Sequence, residues 1–433
     1  MKRFKHIFRT FWVVLLIILT TTAKAQQNPG YPSTDSSALN SRTLSTTPAW
    51  LDSVDISLLT CGPGEEVWSF YGHTALRIED HAHGNDLAVN WGMFSFNQDY
   101  FILRFVFGLT DYQIGIFPMS DFIAEYSAER RWVLQQRLVL TRDEKWKIMQ
   151  AIDRNYQTEN RTYRYNFFFD NCTTRARNMI TSNLGTHATN FKNVDAQSTY
   201  RTEIHRWNES HRWARFGNDL LLGYMADRPI NKKEWEFLPV NLCKDFATEA
   251  RKDTARQQTI MERTPLSRNY IKLVDSTYYI VSPQARVTEA ESSTPRMAAG
   301  SIAFIVILAS LVEFRRKKNL WWLDTTLLLA TGLPGLVLLA MVFSQHPTVQ
   351  VNFQMLILNP LNLFFVWQVA KKARKGRFHW YYNAWGFLLV LSLFMQIWQD
   401  YAEGMVILAL SLLTRYALRS ASYDLKLFNH KKK

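Results

Sequence analysis

The chain has 433 residues and a formal net charge of +14, a balance that by itself points to an acidic partner such as a nucleic acid. The charge is unevenly distributed, because residues 1–25 contain five basic and no acidic side chains and residues 297–433 contain 15 basic against five acidic ones. Residues 26–296 contain 31 basic and 32 acidic side chains and are nearly neutral. The composition therefore leaves nucleic-acid binding without support.

The N-terminus has the pattern of a cleavable signal peptide, predicted over residues 1–25. Four basic residues between positions 2 and 9 precede the apolar run Phe11–Leu19, and Ala23-Lys24-Ala25 is a small-residue cleavage site. The run is shorter than the roughly 20 residues of a spanning helix, and an uncleaved anchor is the alternative. Residues 26–49, rich in Ser, Thr, Pro and Asn, are predicted to form a flexible leader.

Residues 50–296 are predicted to form an extracytoplasmic α+β domain. A capping-box pattern at Thr141–Glu144 predicts a helix that runs to about Tyr156, and the chain after Asn183 is mostly helical in pattern. Alternating apolar residues predict strands, and a helix is predicted between the third and fourth of them. These strands are Val54–Thr60, Thr74–Ile78, Leu87–Trp91 and Trp132–Leu140, and the helix is Asp121–Glu129.

The C-terminal part, residues 297–420, is predicted to be a transmembrane domain of about five helices, followed by a basic tail over residues 421–433. The first four segments are long enough to span a bilayer, whereas the fifth is short, contains Arg415 and has an interfacial helix as its alternative. The segments are Met297–Phe314, Trp321–Phe343, Phe353–Ala370, Trp380–Trp398 and Met405–Leu418.

The loops between these segments predict the topology. Basic residues fill the loops after the first and third segments and end the tail, whereas the loops Ser344–Asn352 and Gln399–Gly404 contain no Lys or Arg. The positive-inside rule places the basic loops and the C-terminus in the cytoplasm of a bacterial cell and the domain outside the inner membrane. Asp324 is expected to reach the cytoplasmic headgroups, and His346 and Asn352 are expected near the outer face, where the domain docks.

Cys172 has the sequence context of a nucleophile. It follows Asn171, a predicted N-cap, so its thiol lies in the first turn of a helix predicted over Thr173–Asn183. The positive end of the helix dipole lowers a thiol pKa, and Arg175 and Arg177 are expected to add to this effect. A buried structural cysteine is the alternative.

A thiol nucleophile needs a base, and His73 is the best candidate. It follows a glycine at the start of a predicted strand, a position that holds an imidazole rigidly. Asn90, with Asp86 behind it, is predicted to orient the ring from the next strand. His81 and His83 lie in a polar turn, where solvent exposure is the main expectation and weak metal binding the alternative. The chain has three cysteines, and whether Cys61 and Cys243 form a disulfide stays open.

Several motifs together resemble a known family. FYGHTALRI, followed later by NCTTRARN, is similar to the circularly permuted papain-like enzymes related to the NlpC/P60 superfamily, in which the histidine strand precedes the cysteine helix. More specifically, LLTCGPGEEVWSFYGHTALRI, NWGMFSF, RFVFGLTDYQIG and YRYNFFFDNCTTRARNMI resemble the periplasmic domain of the Lnb-type bacterial lipoprotein N-acyltransferases. The similarity covers roughly residues 50–250.

The resemblance implies acyl transfer through a thioester. His73 would deprotonate Cys172, which would take an acyl chain from a membrane phospholipid and pass it to the N-terminal amine of a diacylglyceryl-cysteine apolipoprotein. It implies no metal and no cofactor. A groove lined by Phe101, Phe105 and Phe107, or by residues 167–169, is a candidate for the acyl chain, with core packing as the alternative for these rings.

Two other functions remain open at this stage. A membrane-anchored cysteine peptidase or amidase acting on cell-wall peptides would use the same Cys172–His73 pair. A non-catalytic sensor or scaffold is the second alternative, although the predicted cytoplasmic segments are short basic loops without an output domain. The multi-span anchor favours the lipid substrate.

Overall fold

The computed structural model of the chain describes residues 47–94, 99–184, 198–248, 250–252, 270–285 and 291–430. The predicted signal peptide and nearly all of the predicted leader lie outside these residues. The extracytoplasmic and membrane-associated parts belong to one compact unit, residues 47–433.

A seven-stranded antiparallel sheet is the centre of the extracytoplasmic part. Its strand order is β6-β4-β3-β2-β1-β5-β9, and β7 and β8 form a separate two-stranded sheet. The strands are β1 Val54–Cys61, β2 His73–Asp80, β3 Asn85–Met93, β4 Asp111–Pro118, β5 Val133–Leu138, β6 Thr162–Arg164, β7 Ala250–Lys252, β8 Tyr270–Lys272 and β9 Val274–Val281.

Helices cover both faces of the sheet because side chains alternate along each strand. Leu58 of β1 faces one core together with residues of α3, α4 and α8, whereas Leu59 faces a second core with α2. The helices of this part are α1 Phe101–Val106, α2 Met119–Ala128, α3 Arg142–Tyr156, α4 Cys172–Thr181, α5 Tyr200–His205, α6 Arg212–Leu221, α7 Lys232–Trp235 and α8 Pro239–Thr248.

The α+β prediction is confirmed, and the four predicted strands and the two predicted helices before residue 160 are present. The predicted capping box is formed. The Thr141 side chain accepts a hydrogen bond from the backbone N–H of Glu144, and the Glu144 side chain accepts one from the backbone N–H of Thr141. The prediction that the chain after Asn183 is mostly helical missed β9, which pairs with β5 at the sheet edge. An edge strand faces solvent on several sides, so β9 lacks the regular apolar alternation that identifies an inner strand.

The C-terminal part is a bundle of apolar helices. Four stretches are long and apolar enough to cross a membrane: Pro295–Arg316, Trp321–Met341, Pro347–Arg374 and Met405–Tyr423. The helices within this part are α9 Pro295–Arg316, α10 Trp321–Met341, α11 Pro347–Gln350, α12 Leu361–Arg374, α13 Trp380–Met395 and α14 Met405–His430.

The lengths expected for the last two predicted segments were wrong. The fourth contains only the 16-residue helix α13, and the fifth belongs to α14, a 26-residue helix. The predicted fifth segment was cut short because Arg415 and Arg419 interrupt its apolar pattern. Both arginines are buried inside the bundle, so they do not end the helix.

A buried cluster of four charges joins α9, α10 and α14. Arg415 Nε lies 2.8 Å from Asp324 Oδ1 and its guanidinium also binds Glu313, while Arg419 contacts the same two carboxylates. Tyr382 of α13 donates a hydrogen bond of 2.9 Å to Asp324 Oδ1. The expectation that Asp324 reaches lipid headgroups is therefore wrong, since its carboxylate is neutralised inside the bundle, where charged residues of membrane proteins usually pair.

The two parts are joined by hydrogen bonds at one end of the bundle. The Lys- and Arg-free loops carry Asn352 and Gln399, and their side-chain amides donate to Leu220 O at 2.8 Å and to Leu222 O at 3.1 Å. Backbone bonds add to this contact, with Gly223 N donating to Thr348 O at 2.8 Å. The loops predicted to lie outside are therefore the ones that contact the extracytoplasmic domain.

We expect Arg415→Met to destabilise the full chain by about 3–5 kcal/mol, because it leaves two buried carboxylates, Glu313 and Asp324, with only the cation of Arg419. The measurement is thermal unfolding of the full chain in nanodiscs. Arg315→Met, which removes an exposed arginine from α9, is the matched control and should change the melting temperature little. Equal shifts for the two variants would contradict a stabilising role for the cluster.

Candidate active site

Cys172 is the first residue of α4, and Asn171 fixes the start of that helix. The Asn171 side chain accepts from the Thr174 amide at 2.9 Å and donates to Phe167 O at 2.8 Å. The Thr174 hydroxyl in turn accepts a hydrogen bond of 2.8 Å from the backbone N–H of Asn171. This reciprocal cap holds the cysteine in the first turn, where backbone N–H groups have no carbonyl partner within the helix.

His73 and Asn90 are brought together by strand register. Asn90 of β3 lies opposite Ala75 of β2, and His73 lies two residues from Ala75, on the same face of the strand. Such diagonal neighbours are within reach of an imidazole and an amide. The His73 Nε2–H donates to Asn90 Oδ1.

The Cys172 thiol and the His73 imidazole interact and shift each other's pKa. Burial disfavours the thiolate, but the charge and hydrogen bond of His73 outweigh burial and lower the pKa of Cys172 to about 7. Burial likewise disfavours the imidazolium, yet Cys172 and the hydrogen bond to Asn90 raise the pKa of His73 above its ordinary value. Each group thus stabilises the charged form of the other, as in other activated cysteines.

Further contacts hold the sulfur, and the sequence had not singled out the residues that make them. The Thr173 hydroxyl lies 3.8 Å from Cys172 Sγ, and it and the backbone N–H of Thr74 both lower the pKa of Cys172. The threonine hydroxyls of residues 74 and 173 are 3.0 Å apart and join β2 to α4 beside the pair. Tyr165 also interacts with Cys172, and burial raises the pKa of this phenol well above its usual range.

Gly92 makes room for this arrangement. Its φ of +88° is in the left-handed region, and a Cβ there would lie 3.4 Å from Tyr165 and 3.8 Å from the Cβ of Cys172. The position lies in the irregular part of β3, between Asn90 and Met93. The sequence signal was a glycine two residues after the candidate orienting residue, in NWGM.

Two parts of the sequence-based electrostatic prediction are wrong. Arg175 pairs with Asp170 at 2.7 Å, and Arg177 donates to Lys233 O at 2.6 Å and contacts Glu236. Their charges are neutralised by these partners, and His73 supplies the positive charge next to the thiol. Asp86 does not stand behind Asn90 either, because it forms hydrogen bonds of 2.7 and 2.8 Å with Arg77.

The structure answers the disulfide question, since all three cysteines are free and buried. Cys61 packs in the core on the α2 side of the sheet. Cys243 interacts with Thr60, the residue before Cys61 on β1. Successive strand residues face opposite sides, so the sheet separates the two thiols. Burial also raises the pKa of Cys61 to about 12, which leaves Cys172 as the acidic thiol of the three.

His81 and His83 are exposed, as expected. A ring nitrogen of His81 lies 3.4 Å from the Asp55 carboxylate, and a ring nitrogen of His83 lies 2.6 Å from the Asp80 carboxylate. Within the described ranges, no group of three or more His, Cys, Asp or Glu side chains is placed to hold a metal ion.

Two family models match the chain and together cover most of it. Residues 44–206 match the Lnb N-terminal periplasmic domain, and residues 287–425 match the Lnb transmembrane domain. The chain belongs to the Lnb family. It is a membrane protein with a periplasmic N-terminal domain, and the site formed by His73, Asn90 and Cys172 lies within the matched periplasmic domain.

Neither a curated protein nor a solved structure matches the chain. The relation to permuted NlpC/P60 enzymes therefore stays a prediction. The chain does have the order that this prediction requires, with the histidine on strand β2 ahead of the cysteine on helix α4.

The pH dependence of alkylation tests the thiol–imidazole pair. We expect the rate of Cys172 alkylation by iodoacetamide to rise with pH through a midpoint near 7, because the pKa of Cys172 is lowered to about 7 and the thiolate is the reactive form. His73→Ala removes the two largest interactions that oppose burial of the thiol and leaves only those of Thr74 and Thr173, so the midpoint should move above about 8.5, the ordinary value.

Peptide mass spectrometry distinguishes Cys172 from the other two cysteines. Cys61, whose pKa is raised to about 12, is the internal control and should stay unmodified at neutral pH. An unchanged midpoint in His73→Ala would contradict the assignment of His73 as the residue that lowers the pKa of Cys172.

Proposed function

We propose that the protein is a lipoprotein N-acyltransferase that moves an acyl chain from a membrane phospholipid, through a thioester on Cys172, to the N-terminal amine of a diacylglyceryl-cysteine apolipoprotein. One observation carries the proposal: an interacting thiol–imidazole pair, Cys172 and His73, lies in the periplasmic domain of an Lnb-family chain, beside the 3.0 Å contact between the Thr74 and Thr173 hydroxyls. Cys172 is the proposed nucleophile, His73 the proposed acid and base, and Asn90 a positioning residue.

In the first step the Cys172 thiolate attacks the carbonyl carbon of a phospholipid ester. The new carbon–sulfur bond forms, the ester carbon–oxygen bond breaks, and the leaving alkoxide takes the proton of the His73 imidazolium. The products are the thioester and a lysophospholipid. Because His73 is now neutral, it is ready to accept a proton.

In the second step the amine of the apolipoprotein attacks the thioester carbonyl. The amide bond forms, the carbon–sulfur bond breaks, and His73 takes the proton that the amine nitrogen loses. The thiolate–imidazolium pair is restored. Both tetrahedral intermediates carry an oxyanion, and the N–H groups in the first turn of α4 are the proposed donors to it.

The position of the domain supports a lipid donor over a cell-wall peptide. The periplasmic domain is held against the loops of a multi-span bundle by Asn352, Gln399 and the Gly223 backbone. Both proposed substrates reside in the membrane, and a fixed tether raises their effective concentration at the site. A cysteine peptidase or amidase acting on cell-wall peptides would need only a single tether or none.

We further propose that the protein resides in the bacterial inner membrane with its C-terminus in the cytoplasm. The Lys- and Arg-free loops contact the periplasmic domain, whereas the basic loops follow α9 and α12. The positive-inside rule accounts for this distribution.

Asn90→Ala tests the positioning role. Without the amide oxygen the imidazole loses one partner, and we expect a drop in acylation rate of roughly 10–100-fold, the usual scale for losing a partner that orients a functional side chain. The pKa of His73 should also fall, because the hydrogen bond to Asn90 raises it. The rate–pH profile of Cys172 alkylation measures the second effect, and an unchanged profile would argue against this role.

The reaction itself is tested by mass spectrometry of lipoprotein N-termini in a bacterial host depleted of its own N-acyltransferase. The host expresses the wild-type chain or Cys172→Ala, with Cys243→Ala as the matched control at a buried cysteine outside the site. We expect an added acyl chain with wild type and Cys243→Ala and a free amine with Cys172→Ala. Free amines in all three strains, with the protein inserted and folded, would refute the proposal in favour of the peptidase.

A further inference from the structure

Helix α1 exposes apolar side chains to an extent found elsewhere on lipid-facing helices. Tyr100, Ile102 and Leu103 have exposed fractions of 78%, 76% and 58%, the highest of the large apolar residues in the described periplasmic part. In the bundle, Phe304 and Phe364 have similar values of 68% and 70%. A soluble surface rarely exposes adjacent large apolar residues in this way, so the patch indicates a contact with an apolar partner.

The position of α1 identifies that partner as the bilayer. Phe107, the residue after α1, accepts a hydrogen bond of 2.9 Å from the amide of Gln345, just beyond the end of α10. Val106 packs in the core cluster that contains Met341, the last residue of α10. Since α10 has 21 residues and spans about 30 Å, the thickness of the hydrocarbon layer, its end lies at the membrane surface.

The opposite face of α1 leads to the candidate active site. Phe101 and Phe105 stack with ring centroids 6.3 Å apart, and Phe105 lies 5.8 Å from Phe167. Phe167 is 5.4 Å from Tyr165, and Tyr165 and Cys172 both lie within 4 Å of the Cβ position at Gly92. A continuous aromatic wall thus runs from the inner face of α1 to the nucleophile.

The charge on α1 is compatible with a membrane contact. Arg104, the only charged residue of the helix, is paired with Asp111 of β4. Inserting the exposed face of α1 into the leaflet therefore brings no unpaired charge of the helix into an apolar environment.

We propose that α1 is an interfacial helix: Tyr100, Ile102 and Leu103 insert into the outer leaflet, and the phospholipid acyl chain passes over α1 along the aromatic wall to Cys172. The membrane contact rests on the observations above. The delivery of the acyl chain rests on the proposed function as well. The occupant of the patch is thus the acyl region of the bilayer, to which an amphipathic interfacial helix binds through its apolar face.

The membrane contact is tested in the full chain, reconstituted in nanodiscs of phosphatidylethanolamine and phosphatidylglycerol. A fluorescent NBD label is attached to Ile102→Cys in a Cys172→Ala background. Tyr279→Cys is the matched control, because Tyr279 has an exposed fraction of 48% and lies on β9, at the opposite edge of the sheet from β4.

We expect blue-shifted emission at position 102 and quenching by nitroxide-labelled lipids, and neither effect at position 279. Emission and quenching at position 102 that match those at position 279 would overturn the membrane contact. This experiment involves no acyl transfer, so its result is independent of the proposed function.

The delivery of the acyl chain is tested by comparing two donors. Mass spectrometry measures acylation of Cys172 from bilayer phosphatidylethanolamine and from a short-chain phospholipid that is monomeric in water. We expect Ile102→Asp and Leu103→Ser to lower the ratio of the bilayer rate to the monomer rate by about tenfold, the scale of one lost apolar contact, and Tyr279→Asp to leave it unchanged.

An unchanged ratio in both α1 variants would overturn the delivery role. Failure of the wild-type chain to form a thioester with either donor would instead refute the proposed function. In that case the delivery role would fall with it, and the quenching result would still decide whether α1 lies in the leaflet.

Discussion

The structure depends on how the last carbonyl groups of α6 are satisfied. A helix ends with four carbonyls that lack intrahelical partners, and here side-chain amides from the membrane part donate to them. Asn352, Gln354 and Gln399 bind the carbonyls of Leu220, Asp219 and Leu222 at 2.8, 2.9 and 3.1 Å. These bonds are buried and short-ranged, so they fix the distance and the orientation of the periplasmic domain relative to the bundle. A flexible tether would leave the thiol at a variable height above the bilayer.

The same need for fixed geometry governs the thiol–imidazole pair. Burial disfavours both charged forms, so the pair is stable only while each group stays within hydrogen-bond distance of the other. The sheet register places His73 beside Asn90, and the cap at Asn171 sets the start of the helix that carries Cys172. The Thr74–Thr173 contact of 3.0 Å then joins the strand to the helix at the site. The position of the reactive thiol is thus fixed by strand β2 on one side and by the start of helix α4 on the other.

Much of this was predictable from sequence because it depends on local patterns. Strand alternation and the capping box at Thr141–Glu144 indicated the fold class. The N-cap before Cys172, the strand start at His73 and the neighbouring strand with Asn90 brought the three candidate residues into consideration. The contacts that depend on tertiary packing were not predictable. Arg175 and Arg177 look like activating charges in the sequence, and only the fold shows that Asp170 and Glu236 pair with them. Likewise, Arg415 looks like the end of an apolar segment until Asp324 and Glu313 are seen beside it.

The buried charge cluster also constrains the order in which the bundle is assembled. α14 is the least apolar of the four candidate spans, with a mean hydropathy of 1.2, and it contains two arginines that are costly to place in hydrocarbon alone. The carboxylates that neutralise them, Glu313 and Asp324, lie on helices synthesised earlier. Helix α14 therefore enters the bilayer as a partner of helices already present. A chain truncated before α14 leaves the carboxylates of Glu313 and Asp324 without their arginine partners in the membrane. The four-charge cluster becomes neutral only when α14 has been made, so the pairing of Glu313 and Asp324 depends on this helix.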